Sequence, residues 1–165
     1  MYYEPILKAL HKYQVQYLVV GGLAMNLHGV PRLTIDLDII VNTDTENLNK
    51  LITALKITGF SPRLPIQPND LLNSDCRQEW VEKRNLIAFC FESDEKPASE
   101  VDIVLQHPLV FKQAFKNRTI IKLSDYDIPV VSIEDLQEMK RIAARAQDES
   151  DFEMLERIKN EKEDG

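Results

Sequence analysis

Residues 17 to 41 read YLVVGGLAMNLHGVPRLTIDLDIIV, and this stretch decides the fold that the sequence predicts. An apolar strand over residues 16–20 runs into Gly21 and Gly22, and a short helix follows and ends near Gly29. A second apolar strand completes the stretch. Strand, tight turn, helix and strand in this order predict a mixed α/β domain with a central sheet.

The second strand contains Asp36 and Asp38, about 6 to 7 Å apart by the usual rise per residue. Because side chains alternate across a strand, Thr34 is predicted to share a face with both aspartates. The opposite, apolar face is predicted to contain Ile35, Leu37, Ile39 and Val41. Two ionised carboxylates in an apolar run repel each other and lose hydration, and a bound divalent cation would offset both costs. The structural alternative is a strand whose acidic face is open to water.

A strand that ends in Gly-Gly, a short helix and a strand with Asp-x-Asp together resemble the polymerase-beta-type nucleotidyltransferase superfamily. The resemblance implies an α+β (mixed α/β) nucleotidyltransferase fold, with a central mixed sheet flanked by helices. It also implies a third carboxylate on a later strand, and the segment ASEVDIVL offers Asp102. In such a site Asp36, Asp38 and Asp102 would be both the metal ligands and the catalytic residues, for Mg²⁺ or Mn²⁺. Asp102 would in addition be a candidate general base.

Two longer segments resemble one bacterial branch of that superfamily, which contains AbiEii-type abortive-infection toxins and small stand-alone nucleotidyltransferases. These are GGLAMNLHGVPRLTIDLDIIV and the C-terminal SIEDLQEMKRIAARAQDESDFEML, with its lysine, later arginine and acidic residues. The resemblance implies a role in a toxin–antitoxin system. The sequence departs from the branch at Gly22, where many relatives have serine.

The activity that the resemblance implies is transfer of a nucleoside monophosphate from a nucleoside triphosphate to tRNA, a protein or a small molecule. One alternative is a non-catalytic, nucleotide-binding antitoxin that partners a helical toxin. A second alternative is a nucleotide-sugar glycosyltransferase, since these enzymes also use Asp-x-Asp. That alternative ranks lower, because glycosyltransferases are generally larger and lack the Gly-Gly strand and helix.

Five residues are candidates for binding the nucleotide. Gly21 and Gly22 would present backbone N–H groups to phosphate at a helix N-terminus, although an ordinary turn is the alternative. Arg32 lies just before the acidic strand, so it is a candidate for the triphosphate, with a surface ion pair as the alternative. The resemblance favours phosphate binding by Lys140 or Arg145, which lie on different sides of one predicted helix. For these two, a solvated helix face is the alternative.

Three further polar residues are less informative. Asp148 and Asp151 lie at the start of the last predicted helix, where acidic residues usually act as caps. His28 precedes Gly29, and a structural role is favoured over contact with a nucleotide. The sequence does not decide whether these three residues belong to the site.

The rest of the chain predicts further helices and strands. Residues 4–14 and 42–60 each contain an amphipathic helix, and the proline-containing residues 61–76 are predicted to form an irregular loop over the site. The remaining predicted elements are strands at 85–91, 100–105, 118–123 and 127–131, a helix opened by Pro108, and helices at 132–145 and 149–162. Pro129 predicts that its strand lies at an edge of the sheet.

Length and composition narrow the class of protein. The 165 residues, 44% of them hydrophobic, predict one domain, with a catalytic part over 1–131 and C-terminal helices over 132–165. The formal net charge of −7 argues against a broad DNA-binding surface. No apolar run is long enough for a signal peptide or membrane span, so a cytoplasmic protein without a membrane partner is expected.

The sequence also lacks several familiar motifs. Cys76 and Cys90 have no CxxC spacing, and Cys90 is predicted to be a buried thiol. Walker A, GxGxxG, HExxH and GxSxG motifs are absent. The sequence therefore gives no support to P-loop phosphoryl transfer, dinucleotide binding, zinc proteolysis or serine hydrolysis.

Overall fold

In the computed structural model, which describes residues 3–93, 99–143 and 146–163, seven strands form one mixed sheet. The strands are β1 (Tyr17–Val19), β2 (Asp36–Val41), β3 (Phe60–Pro62), β4 (Ala88–Ser93), β5 (Glu100–Val104), β6 (Thr119–Lys122) and β7 (Asp127–Val130). Their order across the sheet is β3-β4-β5-β2-β1-β7-β6. The acidic strand β2 lies near the middle, antiparallel to β1 and parallel to β5. The predicted central mixed sheet is confirmed.

Helices occupy most of the connections between strands. They are α1 (Glu4–Lys12), α2 (Gly21–His28), α3 (Thr45–Ile57), α4 (Ser74–Arg84), α5 (Phe111–Asn117), α6 (Ile133–Ala143) and α7 (Ala146–Glu163), with a 3-10 turn over Pro68–Leu72. Local capping explains where two of them begin. The Asp44 carboxylate accepts from the Asn47 N–H at 2.7 Å, and the Ser132 hydroxyl accepts from the Asp135 N–H at 3.1 Å.

The two faces of β2 have different environments. Leu37, Ile39 and Val41 are buried in the hydrophobic core, as the alternation predicts. Leu48 of α3 lines a cavity of about 260 Å³ together with Val41 and Ile103, so α3 lies on this apolar face. Asp36 and Asp38 project from the opposite face, which is only partly covered. Ile40, on the same face as the aspartates, is also buried, so the predicted site lies beside the core at the Asp36 end of this face.

One prediction about β2 is wrong. The strand begins at Asp36, and Ile35 does not share the buried face, because its side chain is 75% exposed. The pairing explains the difference. The ladder with β5 starts at Asp36, and β1 pairs only with residues 39–41, so the residues before Asp36 have no neighbouring strand.

The segment over residues 61–76 is more regular than predicted. It contains the end of β3, the 3-10 turn and the start of α4, a helix that the sequence analysis missed. Trp80 is the buried residue of α4, so this helix lacks the repeating apolar face that reveals an amphipathic helix.

The edge position predicted for β7 is also wrong. The strand lies between β1 and β6, so β6 rather than β7 forms this edge of the sheet. The pairing of β7 with β1 is limited to Val19 opposite Val130, and the Val131 N–H donates to the Val19 carbonyl at 3.0 Å. Pro129 is therefore not required to donate to β1.

Two further points concern the segment between β4 and β5 and the length of the apolar helices. Residues 94–98, between β4 and β5, lie outside the described residues. Among the helices that the structure describes, none is both long and apolar enough to cross a membrane.

Candidate active site

The register of β2 and β5 brings the three predicted carboxylates to one face of the sheet. Asp38 lies directly opposite Asp102, and Asp36 lies opposite Glu100. On the other edge of β5, Cys90 of the neighbouring strand β4 pairs directly with Asp102. Since residues opposite each other in a ladder project from the same face, all five side chains share the acidic face.

The distances define a second, overlapping group. The Cys90 Sγ and carboxylate oxygens of Glu100 and Asp102 lie within 4.8 Å of one another. Among the described residues this is the one group of three such side chains that meets that distance, so Asp36, Asp38 and Asp102 together do not. The three predicted ligands are neighbours on the sheet rather than a closed cluster.

Burial and mutual repulsion shift the protonation of the aspartates. Burial raises the pKa of Asp38 to about 6, with the charges of Asp102 and Asp36 adding to the effect. A hydrogen bond from the Gly22 backbone and the charge of Lys140 act in the opposite direction. The pKa of Asp36 is also raised, first by burial and then by Asp102. The site therefore concentrates negative charge that nearby cationic groups only partly compensate.

One atom of the site fits a cation directly. The Oδ1 atom of Asp102 is buried and has no hydrogen-bond partner among the described residues. A buried carboxylate oxygen without a partner is costly, and a divalent cation would supply the missing interaction. The hard carboxylate oxygens of Asp36, Asp38 and Asp102 are the donor type that Mg²⁺ and Mn²⁺ prefer. The residues present therefore fit the predicted metal ion.

The Gly-Gly turn packs directly on the acidic strand. Gly21 has a φ of +63°, and a Cβ atom there would overlap the Asp38 carboxylate. A Cβ on Gly22 would lie 2.7 Å from the Thr34 Oγ1 atom. The Val20 N–H donates to the Asp38 carbonyl at 2.9 Å. A side chain at either position would collide with a neighbouring one, because the N-terminus of α2 lies so close to Asp38 and Thr34.

Two of the residues predicted to bind phosphate form ion pairs with the same carboxylate. Arg32 forms an ion pair with the Asp151 carboxylate, and the Lys140 Nζ atom lies 2.7 Å from the same oxygen. Asn26 fixes the backbone of Arg32, accepting its N–H at 2.6 Å and donating to its carbonyl at 2.8 Å. The charge of Lys140 also lowers the pKa of Asp38, so this cluster adjoins the carboxylates. Arg145 lies outside the described residues.

The cap predicted at Asp151 is wrong. The helix α7 begins at Ala146, so Asp151 lies beyond its first turn, where its side chain is 8% exposed and pairs with the two cations. Asp148 lies in the first turn of α7. His28 is buried, and its Nε2 atom lies 2.7 Å from the Val131 carbonyl. This contact connects α2 to the chain after β7, which agrees with the structural role that was favoured.

Three solved structures of similar fold are described as nucleotidyltransferases, one of them provisionally. The lincosamide antibiotic adenylyltransferase LnuA, solved with lincomycin bound, superimposes with a TM-score of 0.57 at 18% identity, over 93% of each chain. ANT(2″)-Ia, in complex with adenylyl-2″-tobramycin, gives 0.53 at 12% identity, over 94% of this chain and 90% of that one. A Thermotoga maritima protein, TM1012, with a provisional assignment as a nucleotidyltransferase, gives 0.52 at 16% identity, over 97% and 94%.

The chain has a nucleotidyltransferase fold. No protein-family model matches the sequence, and no curated protein matches it. The AbiEii-type branch inferred from the sequence stays a prediction.

Within this nucleotidyltransferase fold, Cys90 differs from the buried thiol that was predicted. Its Sγ atom lies 3.8 Å from a Glu100 carboxylate oxygen and is only partly buried. Burial, followed by a hydrogen bond to the Asp102 side chain and by the charges of Asp102 and Glu100, raises the pKa of the thiol to about 12. The thiol is therefore protonated at neutral pH and can donate to the carboxylates. Its place among the acids follows from the register of β4 against β5, which the sequence analysis did not determine.

Arg63 and Tyr3 are neighbours of the carboxylates that the sequence analysis also missed. The Arg63 N–H donates to the Cys90 carbonyl at 3.0 Å, its guanidinium lies 3.4 Å from Glu100, and its charge lowers the pKa of Asp36. Burial, together with the charges of the two β2 aspartates, raises the pKa of Tyr3 to about 12. Neither residue belongs to a motif, and pairing between distant segments brings Arg63 to the site.

Proposed function

We propose that this protein is a divalent-metal-dependent nucleotidyltransferase that transfers a nucleoside monophosphate from a nucleoside triphosphate to an acceptor hydroxyl. The observation that carries the proposal is the register of Asp38 opposite Asp102. With Asp36, these two form a carboxylate group beside the N-terminus of α2. The nucleotidyltransferase fold of the chain supports the same activity.

In the proposed reaction, Asp36, Asp38 and Asp102 would hold Mg²⁺ or Mn²⁺. The ion would neutralise charge on the triphosphate and the leaving pyrophosphate and would lower the pKa of the attacking hydroxyl. Asp102 has a further proposed role as the general base that accepts the proton lost by the acceptor hydroxyl. Burial of Asp38 limits access of water, so the attractions between carboxylates and cation are stronger than in solution.

The phosphates lie, in this proposal, between the Gly21-Gly22 turn and the cluster of Arg32, Lys140 and Asp151. The first N–H groups of a helix have no acceptor within the helix, and they favour an anion. The charge of Lys140 already lowers the pKa of Asp38, so Lys140 is close enough to attract a phosphate bound beside the carboxylates. Because both cations share Asp151, their pairing orients them before a nucleotide binds.

The acceptor that we propose is a hydroxyl-bearing small molecule. The similar structures LnuA and ANT(2″)-Ia were solved with lincomycin and with adenylyl-2″-tobramycin, which supports this class over tRNA or protein. Leu33 and Ile35, just before the acidic strand, are 94% and 75% exposed. They offer an apolar surface next to Asp36 for the non-polar part of such an acceptor.

The experiment measures transfer directly. Purified protein is incubated with Mg²⁺ or Mn²⁺ and each α-labelled nucleoside triphosphate, together with lincomycin, tobramycin, total tRNA or cell extract. We expect a labelled acceptor and pyrophosphate release, both lost in Asp38→Asn and Asp102→Asn and kept in Asp125→Asn, a control in an exposed turn. Absence of nucleotide binding and of transfer in every mixture would contradict the proposal.

A role in a toxin–antitoxin pair is the finer part of the proposal, and only the sequence resemblance supports it. Expression in a bacterial host, with recovery of the chain under mild conditions, tests this part. A small helical protein that co-purifies with it, and whose toxicity the chain suppresses, would support the pair. Transfer activity without such a partner would remove this part and leave the proposed reaction intact.

A further inference from the structure

The cavity of about 260 Å³ beside α3 lies away from the carboxylates of the candidate active site. Its walls include Val41 at the end of β2, and Ile103 and Leu105 around the end of β5. The two strands are parallel, and Asp36 lies opposite Glu100 where both of them begin. The cavity and the acidic residues at the start of the strands therefore lie at opposite ends of this strand pair.

The cavity combines apolar walls with two nitrogen-bearing side chains. Leu48 of α3, Leu71 of the 3-10 turn and Val81 of α4 extend the apolar wall that β2 and β5 begin. Arg77 of α4 and His107, which follows β5, also line the cavity. Apolar walls with a few polar groups at fixed places are the usual composition of a small-molecule site.

Arg77 has donors that its contacts within the protein do not use. Its Nη1 group donates to the Leu71 carbonyl, which connects α4 to the preceding 3-10 turn. Among the residues that the structure describes, no carboxylate forms an ion pair with Arg77, and burial lowers the pKa of its guanidinium. A guanidinium has five N–H donors in a fork that matches a carboxylate. Arg77 can therefore bind the carboxylate of a ligand and keep its contact with Leu71.

His107 also has an atom without a partner. Its Nδ1 atom is buried and has no hydrogen-bond partner in the part of the chain that the structure describes. Burial lowers the pKa of the imidazole, and a hydrogen bond with the Leu109 backbone acts in the opposite direction. A buried polar atom without a partner is costly. A protonated imidazole donates from both nitrogens, and a neighbouring carboxylate favours that form, so an anionic ligand would supply the missing partner.

The one carboxylate that lines the cavity belongs to its rim. Glu82 and Gln78 are both exposed, and the Gln78 Nε2 group donates to the Glu82 carboxylate at 2.8 Å. Glu82 is therefore engaged on the solvent side of α4 and forms no ion pair with Arg77. The interior of the cavity is left with donors and apolar surface.

We infer that this cavity binds a small carboxylate with a compact apolar body, whose carboxylate faces Arg77 and His107. A water molecule takes about 30 Å³ in the liquid, so the cavity suits a ligand of about nine non-hydrogen atoms. The bond to Arg77 is charge-assisted, which favours an anion over a neutral molecule of the same shape. The inference does not depend on the proposed nucleotide transfer, because none of Asp36, Asp38 and Asp102 lines the cavity.

The test titrates isotope-labelled protein by NMR with three probes of the same shape, namely benzoate, neutral benzamide and cationic benzamidine. Benzoate should bind with a Kd of about 1 mM or below, and the other two at least about tenfold more weakly. Arg77→Met should weaken benzoate about tenfold and change benzamide by less than about twofold. Arg84→Met, in the last turn of the same helix and outside the cavity, is the matched control and should bind as the wild type does.

A second variant tests where the probe binds. Val81→Phe should fill the cavity, abolish benzoate binding and leave the thermal midpoint at or above that of the wild type. The backbone signals of residues 103–107 should shift with benzoate in the wild type and not in this variant. Because Val81→Phe keeps the bond between Arg77 and Leu71, it decides the question even where Arg77→Met lowers the thermal midpoint.

The outcomes that contradict the inference are distinct from a failure of nucleotide transfer. A wild type that does not bind benzoate, or that binds all three probes alike, would overturn the inference and leave the proposed function intact. Unchanged benzoate affinity in Val81→Phe would place the binding elsewhere and would overturn it as well.

Discussion

Replacing Asp38 by asparagine should stabilise the metal-free protein at neutral pH and leave its stability almost unchanged in acid. The folded protein raises the pKa of this carboxyl from 3.8 to about 6, chiefly by burial. The folded state therefore binds the proton more tightly than the unfolded chain does. Stability must fall as the pH rises from about 4 to about 6, and it stays at the lower level above that range.

The magnitude follows from the same two values. A carboxyl whose pKa moves from 3.8 to about 6 costs the folded state up to about 3 kcal/mol at neutral pH. Asparagine cannot ionise, so it removes this cost, which already includes the opposing effects of Gly22 and Lys140 on the pKa of Asp38. The gain at neutral pH should therefore approach the same limit of about 3 kcal/mol.

Urea unfolding in the presence of EDTA, at about pH 4 and about pH 8, measures the effect. The difference in unfolding free energy between Asp38→Asn and the wild type should grow with pH. Asp125→Asn is the control, because that side chain is 68% exposed and its ion pair is with Lys8 rather than with a group of the site. Parallel pH profiles for the wild type and Asp38→Asn would refute the claim that Asp38 is a destabilised carboxylate.

Three further predictions concern the metal, the turn and the basic cluster. Mg²⁺ should raise the thermal midpoint of the wild type by ligand linkage, and Asp36→Asn should reduce that rise, as scanning calorimetry would show. Gly21→Ala should destabilise the fold by more than Gly59→Ala in urea unfolding. Both glycines have positive φ, but only a Cβ at Gly21 meets another atom, the Asp38 carboxylate. Asp151→Asn leaves Arg32 and Lys140 without their shared carboxylate, so the unfolding free energy should fall by about 3 kcal/mol. An unchanged unfolding free energy would show that the two ion pairs contribute nothing to stability.

Local sequence signals predicted the elements that hold the site. Gly-Gly after an apolar strand located the start of α2, and alternation placed Leu37, Ile39 and the two aspartates on opposite faces of β2. These features depend on neighbouring residues alone, which is why one sequence was sufficient. Asp102 required the resemblance to a known family, because a single acid in a short strand has many explanations.

Features that depend on distant pairing were not predicted. Ile35 lies outside the sheet because β5 begins its ladder at Asp36, and alternation gives no information about where a partner strand starts. Cys90 lies beside the carboxylates because of the β4–β5 register. A register of this kind is set by the whole sheet rather than by the residues around it.

The ion pairs of Asp151 show the same limit. Capping was the reasonable expectation for an acid near a helix start, but it assumed that α7 began later than Ala146. Arg32 reaches Asp151 across 119 residues of sequence, and no local pattern reports such a contact. The helix boundary and the partner were both decided by tertiary packing.

The separation of β2 into an apolar face and an acidic face affects how this protein can diversify. Mutations that change Leu33 or other exposed residues around the carboxylates leave the packing of Leu37 and Ile39 against the core untouched. Variants with substitutions at these exposed positions should therefore retain the fold at high frequency. A combinatorial library confined to exposed residues around the carboxylates would contain many folded members.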